Sequence, residues 1–467
     1  MQSVVPCRWG TEAQGTHCRE GEAGHNVLFG GNMGDTQKSE TVSTKLERIA
    51  EQARENPELV FISLVHLMDV DFLREAFHRL RKDTAPGIDG MMAKKYAENL
   101  DENLLNLHER LAHKKYRATP VKRVWLDEDD GKKRPIGITV LEDKIVQRAV
   151  AMLMGAVYEQ DFYDFSYGFR QGRSPHNALH VLRERCMKMG IGWIIDLDVS
   201  GCFDNIEHGK LLDIIKQRIN DGGIIRLIGK WLHAGVMEGE ILSYSEKGTP
   251  QGGVISPLLA NIYLHHVLDE WFEREVKPLM RGRVFIVRFA DDAVIGCELE
   301  YDARRVKEVL PKRFGRYGLT VHPQKTKLVR FRKPRKEDDA GKNGTFDYLG
   351  FTHYWAKSRR GYWVIKRKTM EKRWRRIVKA TWEWCRHKRH EPLEYQYKKL
   401  CQKLRGHFQY YAIRGNYRTL EKVREYVRKA WRYWLHRRSR KRRMTWERFV
   451  KLELSYSLPK PRIIHAI

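Results

Sequence analysis

Apolar residues begin to recur at helical spacing near Thr41. Leu46, Ile49, Ala50 and Ala53 share one predicted helix face, and Leu73, Ala76, Phe77 and Leu80 share another. Ala85-Pro86-Gly87-Ile88-Asp89-Gly90 interrupts the pattern as a loop. Val121 to Leu126 reads as a strand, and Arg134-Pro135-Ile136-Gly137-Ile138 as its return across a polar turn over Asp127 to Lys133. Leu141 to Tyr158 follows as a buried amphipathic helix. Trp193-Ile194-Ile195-Asp196-Leu197-Asp198-Val199 is a core strand that carries two acids. Pro257 to Trp271 reads as a helix after a Gly-rich turn. Val284 to Phe289 and Ala293 to Cys297 are two strands, and the three residues Ala290-Asp291-Asp292 between them suit a tight hairpin.

Downstream the pattern becomes purely helical. Met370, Trp374, Ile377, Val378, Thr381 and Cys385 form one stripe, and Tyr397, Leu400, Cys401, Leu404, Phe408 and Tyr411 a second. Leu420, Val423, Val427, Ala430, Trp431 and Trp434 form a third. Three amphipathic helices predict a small bundle whose stripes are core and whose outer faces are basic. Residues 1–40, rich in Gly, Thr, Glu and Gln, have few paired apolar positions and are expected to be disordered. His17, Cys18 and His25 within them match no metal-ligand spacing.

Charge adds the first functional constraint. The 467 residues carry a formal net charge of +29. Lys366 to Ile467 holds 32 Lys/Arg and 8 Asp/Glu, so an excess of 24 sits in the last fifth of the chain. One basic run is ordinarily a solvated face, but an imbalance of this size repels itself unless a polyanion compensates it, which points to nucleic acid. No long uncharged apolar run predicts a membrane span, and no secretory leader is apparent. The seven cysteines (Cys7, Cys18, Cys186, Cys202, Cys297, Cys385, Cys401) are scattered, which fits a reducing cytoplasmic setting rather than a disulfide framework or zinc site.

The acids point to the chemistry. Asp291 and Asp292 are adjacent at the tip of an apolar hairpin, and unit charges about 4 Å apart repel by roughly 4 kcal/mol at an effective dielectric of about 20. An exposed Asp-Asp turn is the common fate of such a pair. Here a third acid, Asp198, stands on another apolar strand, and if the strands are neighbours three carboxylates converge. Hard oxygen ligands of this kind suit Mg2+, which takes its other ligands from water and substrate phosphates. Two such ions about 3.5–4 Å apart can activate a primer 3′-hydroxyl and stabilise leaving pyrophosphate. Gly248-Thr249-Pro250-Gln251-Gly252-Gly253 permits close approach of backbone to a template-primer or nucleotide, a weak signal alone. Arg134 is a candidate triphosphate ligand and Lys325 a candidate proton donor to pyrophosphate; the plain alternatives are a surface charge and a solvated lysine.

Taken in order, these segments resemble the group II intron reverse transcriptase/maturase family, over nearly everything from Leu46 to Ile467. The resemblance rests on Ala85-Pro86-Gly87-Ile88-Asp89-Gly90, Arg134-Pro135-Ile136-Gly137-Ile138, Ser166-Tyr167-Gly168-Phe169-Arg170 and Asp198-Val199-Ser200-Gly201-Cys202-Phe203-Asp204-Asn205-Ile206. It continues through Thr249-Pro250-Gln251-Gly252-Gly253-Val254-Ile255-Ser256-Pro257, Phe289-Ala290-Asp291-Asp292, Gln324-Lys325-Thr326 and Tyr348-Leu349-Gly350-Phe351. It implies an α+β right-hand polymerase, with fingers over 41–183, a palm with an antiparallel sheet over 184–360, a three-helix thumb (domain X) over 361–437 and a basic tail over 438–467.

It further implies an RNA-directed DNA polymerase that copies intron RNA into cDNA and assists splicing and mobility. Its metals would be two Mg2+ per site, with Mn2+ as a substitute. Its partners would be its own intron RNA, an RNA template with a DNA primer, dNTPs and target DNA, with no membrane involved. Asp198, Asp291 and Asp292 match the metal-binding acids, Asp198 being preferred to Asp196 because it stands five residues before Phe203. Phe203 matches the residue that blocks a ribose 2′-hydroxyl; Arg134, Gln251 and Lys325 complete the candidate nucleotide contacts. Gly252, Tyr348, Gly350, Arg373, Arg376, Lys403 and Arg405 are the candidate nucleic-acid contacts, with Tyr348-Leu349-Gly350-Phe351 as the primer-gripping turn.

Three departures stand out. Phe289 replaces the more frequent Tyr before Ala-Asp-Asp. Acidic Asp127 to Asp130 fill the hairpin where many relatives carry a basic residue, leaving Lys132 or Lys133 for that role. Many relatives end in an HNH endonuclease, which a chain running to Ile467 is expected to lack. Two other readings stand beside it: an RNA chaperone that shares the basic thumb but needs no intact acids, which the three acids speak against, and a reverse transcriptase recruited to host defence, which the intron-type thumb speaks against.

Overall fold

Helices open the chain where apolar spacing requires them. The computed structural model describes residues 41–127, 133–239, 241–244, 247–248, 252–335, 341–439 and 444–467. Val42–Glu55 begins at Thr41, whose side chain accepts the Thr44 amide, and buries Ile49 and Ala53. Val70–His78 begins at Asp69, which accepts the Phe72 amide, and buries Phe72, Leu73, Ala76 and Phe77. Both pack on Leu141–Asp161, which runs three residues beyond the predicted end and shares their apolar core. Val121–Asp127 and Lys133–Ile138 form the predicted antiparallel hairpin. Val236–Glu238 then adds in parallel and Ile241–Ser243 closes this four-stranded sheet.

The central sheet has the order Lys327–Arg330, Trp193–Leu197, Asp292–Cys297, Val284–Phe289, and every pairing in it is antiparallel. Its side chains alternate between two cores. Ile195, Ile286 and Ile295 face the large core of the helical layer, while Ile194, Phe285, Val287 and Val294 face a second core with Leu179, Leu182, Phe331 and Phe351. A sheet covered on both faces explains why these strands read as nearly unbroken apolar runs. The strand predicted over Trp193 to Val199 is interrupted at Asp198. Its ladder ends at Leu197, and Val199–Ser200 pairs instead with Thr320–Val321. The cause is a distant stretch of chain: the Asp198 carbonyl accepts the His322 amide at 2.8 Å, and the Thr326 hydroxyl accepts the Asp198 amide at 3.2 Å.

The helix predicted over Pro257 to Trp271 starts as Ser256–Leu264 and widens into π-helical turns at His265–Glu270 and Phe272–Val276. A second antiparallel sheet, Phe346–Tyr348, Phe351–Lys357 and Trp363–Thr369, joins the central layer to the C-terminal helices. Those helices are Glu371–His387, Leu393–Tyr411 and Tyr417–His436, around a core of Leu400, Leu404, Phe408, Leu420, Val423, Val427 and Trp431.

The segment 438–467, expected as a basic tail, contributes a fourth helix, Trp446–Ser455. Phe449 is fully buried and meets Trp431 edge-on at 5.7 Å, and Leu458 closes the same core. The dense Lys/Arg run ahead of this helix masked its short apolar stripe. Truncating Phe449 to Ala should cost about 3–5 kcal/mol of bundle stability. Guanidinium unfolding followed by bundle tryptophan fluorescence measures this, and an unchanged transition would show that the fourth helix is not part of the core.

Candidate active site

Two antiparallel strands bring the acids together. The register ends with Leu197 opposite Ala293, so Asp198 stands one residue past the ladder, near enough to Asp292 for their charges to act on each other. Residues two apart on a strand, and those directly opposed across a ladder, project from one face of the sheet. Asp196, two residues earlier and opposite Val294, lies diagonally on that face. The hairpin turns through Ala290 with φ +55°. Left-handed backbone at a non-glycine costs on the order of 1–3 kcal/mol, and it persists only where the surroundings impose it.

The electrostatics follow this geometry. The Asp292 carboxyl is open to solvent yet crowded by protein; burial first, then the charges of Asp291 and Asp198, push it up to about 7, while Arg373 opposes the shift. Asp196 is pushed up to about 7 by burial, then by Asp292, Asp347 and Asp198, against Lys327. Burial raises the Cys202 thiol and the Asp291 charge raises it further, so the segment beginning at Gly201 abuts the turn. Lys325 places its ammonium 3.9 Å from Asp198 Oδ1, with most of its side chain in solvent. The patch is an accumulation of negative charge with cations only at its margin.

Among the described residues no three His, Cys, Asp or Glu side chains close around a common point. A closed protein cage is not what Mg2+ requires, because that ion keeps waters and substrate phosphates in its shell. The donor set fits a divalent ion: hard carboxylate oxygens, mutual repulsion, and an Asp292 whose proton would yield to a cation.

The other sequence-derived candidates divide. Phe203 is half-buried against the large core beside the acid-bearing strand. Arg134 lies opposite Leu126, but its side chain is outside the described residues, as are Gln251 and residues 1–40. Gly252 has φ +112°, and a Cβ there would sit 2.3 Å from the Gly137 carbonyl oxygen. Its open face is filled by the hairpin rather than offered to a ligand.

Tyr348 is 2 % exposed, and its hydroxyl donates to the Val287 carbonyl at 3.4 Å. The alternation that turns Phe346 and Tyr348 inward turns Asp347 outward, so the Tyr348 side chain supports the sheet and cannot grip a primer. The turn it precedes has Leu349 and Gly350 both at positive φ, as two-residue hairpins prefer. The Tyr410 hydroxyl donates to the Leu349 carbonyl at 2.8 Å, and a Cβ on Gly350 would meet the Tyr411 hydroxyl at 2.9 Å.

Arg373 is exposed in the first turn of Glu371–His387, near enough for its charge to act on Asp292, Tyr410 and Tyr411. Arg376 and Arg405 are also exposed. Lys403 is half-buried with its ammonium 5.7 Å from the Trp384 ring centre, a packing role that leaves it a poor phosphate ligand.

Comparison with known proteins gives the family. Residues 125–353 match the reverse transcriptase (RNA-dependent DNA polymerase) family. The group II intron-encoded protein LtrA of Lactococcus lactis is 36% identical over 224 residues, covering 48% of this chain and 37% of that protein. Protein YkfC of Escherichia coli is 33% identical over 276 residues, covering 52% of this chain and 72% of YkfC. The chain belongs to the group II intron reverse transcriptase/maturase family. An uncharacterized 91 kDa protein in the cob intron of Schizosaccharomyces pombe is 28% identical over 353 residues, covering 62% of this chain and 43% of that protein. The chain thus spans little more than a third of the length of LtrA.

Family membership implies the right-hand polymerase fold, to which the mixed helices and antiparallel sheets conform, and reverse transcriptases use divalent metals. No described helix is long and apolar enough to cross a membrane. Thr326, which fixes the Asp198 backbone, and Arg288, a charge inside the apolar strand Val284–Phe289, escaped the sequence reading. The lone Arg in that run was the available signal.

The raised Asp292 carboxyl fixes a sign. Its folded value, about 7, lies above the ordinary 3.8, so the metal-free folded protein binds the extra proton between those values and loses stability as pH rises from about 4 to about 7. Asp292→Asn should therefore raise the metal-free melting temperature at pH 8 and leave it nearly unchanged at pH 4. Calorimetry at the two pH values checks this; an equal shift at both would exclude charge crowding as its source.

Proposed function

We propose that the chain is an RNA-directed DNA polymerase that extends a DNA primer on intron RNA, and that it also binds its own intron RNA to assist splicing and mobility. The observation that carries the reading is the crowding of three acids: Asp291 and Asp198, the latter one residue past the ladder's last pair, both act electrostatically on Asp292. Asp198, Asp291 and Asp292 would hold two divalent ions, most simply Mg2+ with Mn2+ as a substitute, through carboxylate oxygens. Bound there, the ions supply Lewis acidity to the attacking 3′-hydroxyl and the departing pyrophosphate. Lys325, beside Asp198, is suited to deliver a proton to pyrophosphate. Phe203 would bar a ribose 2′-hydroxyl, and Arg134 and Gln251 would contact the incoming dNTP.

In this reading residues 41–183 are fingers, 184–360 palm and 361–437 thumb. The exposed cations Arg373, Arg376 and Arg405 face the phosphates of the template-primer or intron RNA. Gly350 would contribute backbone at the primer, and target DNA would provide that primer in mobility. The charge supports a nucleic-acid partner independently of the acids: 24 of the 29 net positive charges lie in the last 102 residues.

The direct test is primer extension on an RNA template with dNTPs and Mg2+. Wild-type protein should extend the primer, and the Asp291→Ala, Asp292→Ala double variant should not; undiminished extension by that variant would remove the catalytic assignment. Phe203→Val should admit ribonucleotides, raising rNTP use relative to dNTP by about tenfold or more, within the roughly 1–3 kcal/mol that shape discrimination supplies. Competition assays over all four bases measure the ratio, and an unaltered ratio would return Phe203 to a packing role.

A further inference from the structure

The acid-bearing turn is strained and charged, and it is held from behind by a buried network that takes no part in the chemistry proposed above. Arg288, three residues before Asp291, and Asp269 are both 0 % exposed. Arg288 Nε donates to Asp269 Oδ1 at 2.8 Å and Nη2 to Asp269 Oδ2 at 2.5 Å. Its Nη1 donates to Asn261 Oδ1 at 3.0 Å and to the Ala290 carbonyl at 2.9 Å. Four bonds thus tie one rigid guanidinium to a helix on one side and to the left-handed residue of the turn on the other.

Asn261 completes the frame: its Nδ2 donates to the Gly168 carbonyl at 2.6 Å, and a Cβ on Gly168 would lie 2.2 Å from the Ala290 nitrogen. The segment leading to Gly168 is bonded to the same strand, with the Arg288 amide on the Phe165 carbonyl and the Tyr167 amide on the Arg288 carbonyl, each 2.9 Å. Ala290 is therefore gripped through its carbonyl by Arg288 and packed at its nitrogen by Gly168.

The π-helical turn accounts for the geometry on the helix side. In an α-helix of 3.6 residues per turn, position i+8 lies roughly 80° round from position i. Asp269 is eight residues after Asn261, and the wider π turn from His265 rotates less per residue, returning Asp269 to the side that carries Asn261. Irregular helix here serves to aim two side chains at one guanidinium.

We infer that Arg288, Asp269 and Asn261 form a positioning device that sets the affinity of the Asp291–Asp292 turn for divalent cations by holding Ala290 in its left-handed conformation. The inference rests on the polymerase reading of those acids. Arg288 is a positioning residue: its fork is spent on Asp269, Asn261 and the backbone, and its charge is balanced by Asp269. The alternative is a buried ion pair that only stabilises the fold. The two roles separate because a buried ion pair can often be replaced by apolar residues without loss of stability, whereas apolar residues cannot hold the Ala290 carbonyl.

The test uses full-length Arg288→Met/Asp269→Leu and, separately, Asn261→Ala, which leaves the ion pair intact. Mn2+ binding without nucleic acid is followed by electron paramagnetic resonance, beside melting curves and primer extension with kcat and KM for dNTP resolved. Expected are Mn2+ dissociation constants raised at least fivefold in both variants, a lower kcat that high metal partly restores, and a dNTP KM within twofold of wild type. Wild-type Mn2+ affinity and kcat in the folded double variant would overturn the positioning role. Should the double variant not melt cooperatively, Asn261→Ala decides by the same criteria. If wild type binds Mn2+ at a site lost in Asp291→Ala, Asp292→Ala and Asn261→Ala leaves that binding unchanged, the inference fails and the polymerase reading stands. A wild-type protein that neither binds Mn2+ there nor extends a primer overturns both.

Discussion

Like charges gathered on one face of a sheet need a rigid frame, and this constraint organises the centre of the molecule. Asp196 and Asp292 lie on neighbouring antiparallel strands, Asp198 stands one residue past the end of the first, and Asp291 adds its charge at the turn. Left to themselves they would splay. The strands that carry them are apolar on both sides and sealed between two cores, so the backbone cannot yield without opening one of them. The repulsion appears instead at the carboxyls of Asp292 and Asp196, whose hold on a proton is raised by burial and neighbouring carboxylates. A cation would relieve the same stress, which is the physical link between a stiff sheet and a metal-dependent activity.

Much of this arrangement is legible in the sequence. Strands buried on both faces leave long apolar runs, so the central pair around Ala290-Asp291-Asp292 and the strand before Asp198 stand out. The basic C-terminal helices are visible by their stripes. The break at Asp198 is not, because it is made by His322 and Thr326 from more than a hundred residues away. Tyr348 misleads for a related reason: a motif specifies which residues recur, while register decides which of them faces the core. Gly252 belongs to a Gly-rich run that suggests ligand approach, yet its missing side chain makes room for the carbonyl of Gly137. The helix after 445 is hidden by the basic residues ahead of it.

The two sides of the site are built differently. Behind the acids, every strong donor of Arg288 named above is matched to a buried acceptor, and little there can move without leaving a charge unpaired. In front, Lys325 and Arg373 carry their charges on long, solvent-exposed side chains. Rigidity lies where carboxylates must be held to fractions of an ångström, and adaptability where a long anionic substrate must slide.

The Leu349-Gly350 turn is one of the points where the helical bundle meets the sheet; Thr369, at the end of the last strand, is another, bonded to Asn416 through its amide at 2.9 Å and its hydroxyl at 2.8 Å. One tyrosine of the helix Leu393–Tyr411 is bonded to the turn's carbonyl, and the next fills the space above its glycine. Tilting that helix would tear the first contact or drive the second into backbone, and Asn416, bonded to the Tyr411 carbonyl at 2.9 Å, ties the same helix end to Thr369. The root of the bundle is therefore clamped rather than hinged: Met370, just ahead of the first helix, is bonded to the same turn through the Gly350 carbonyl, which keeps Arg373 within electrostatic reach of Asp292.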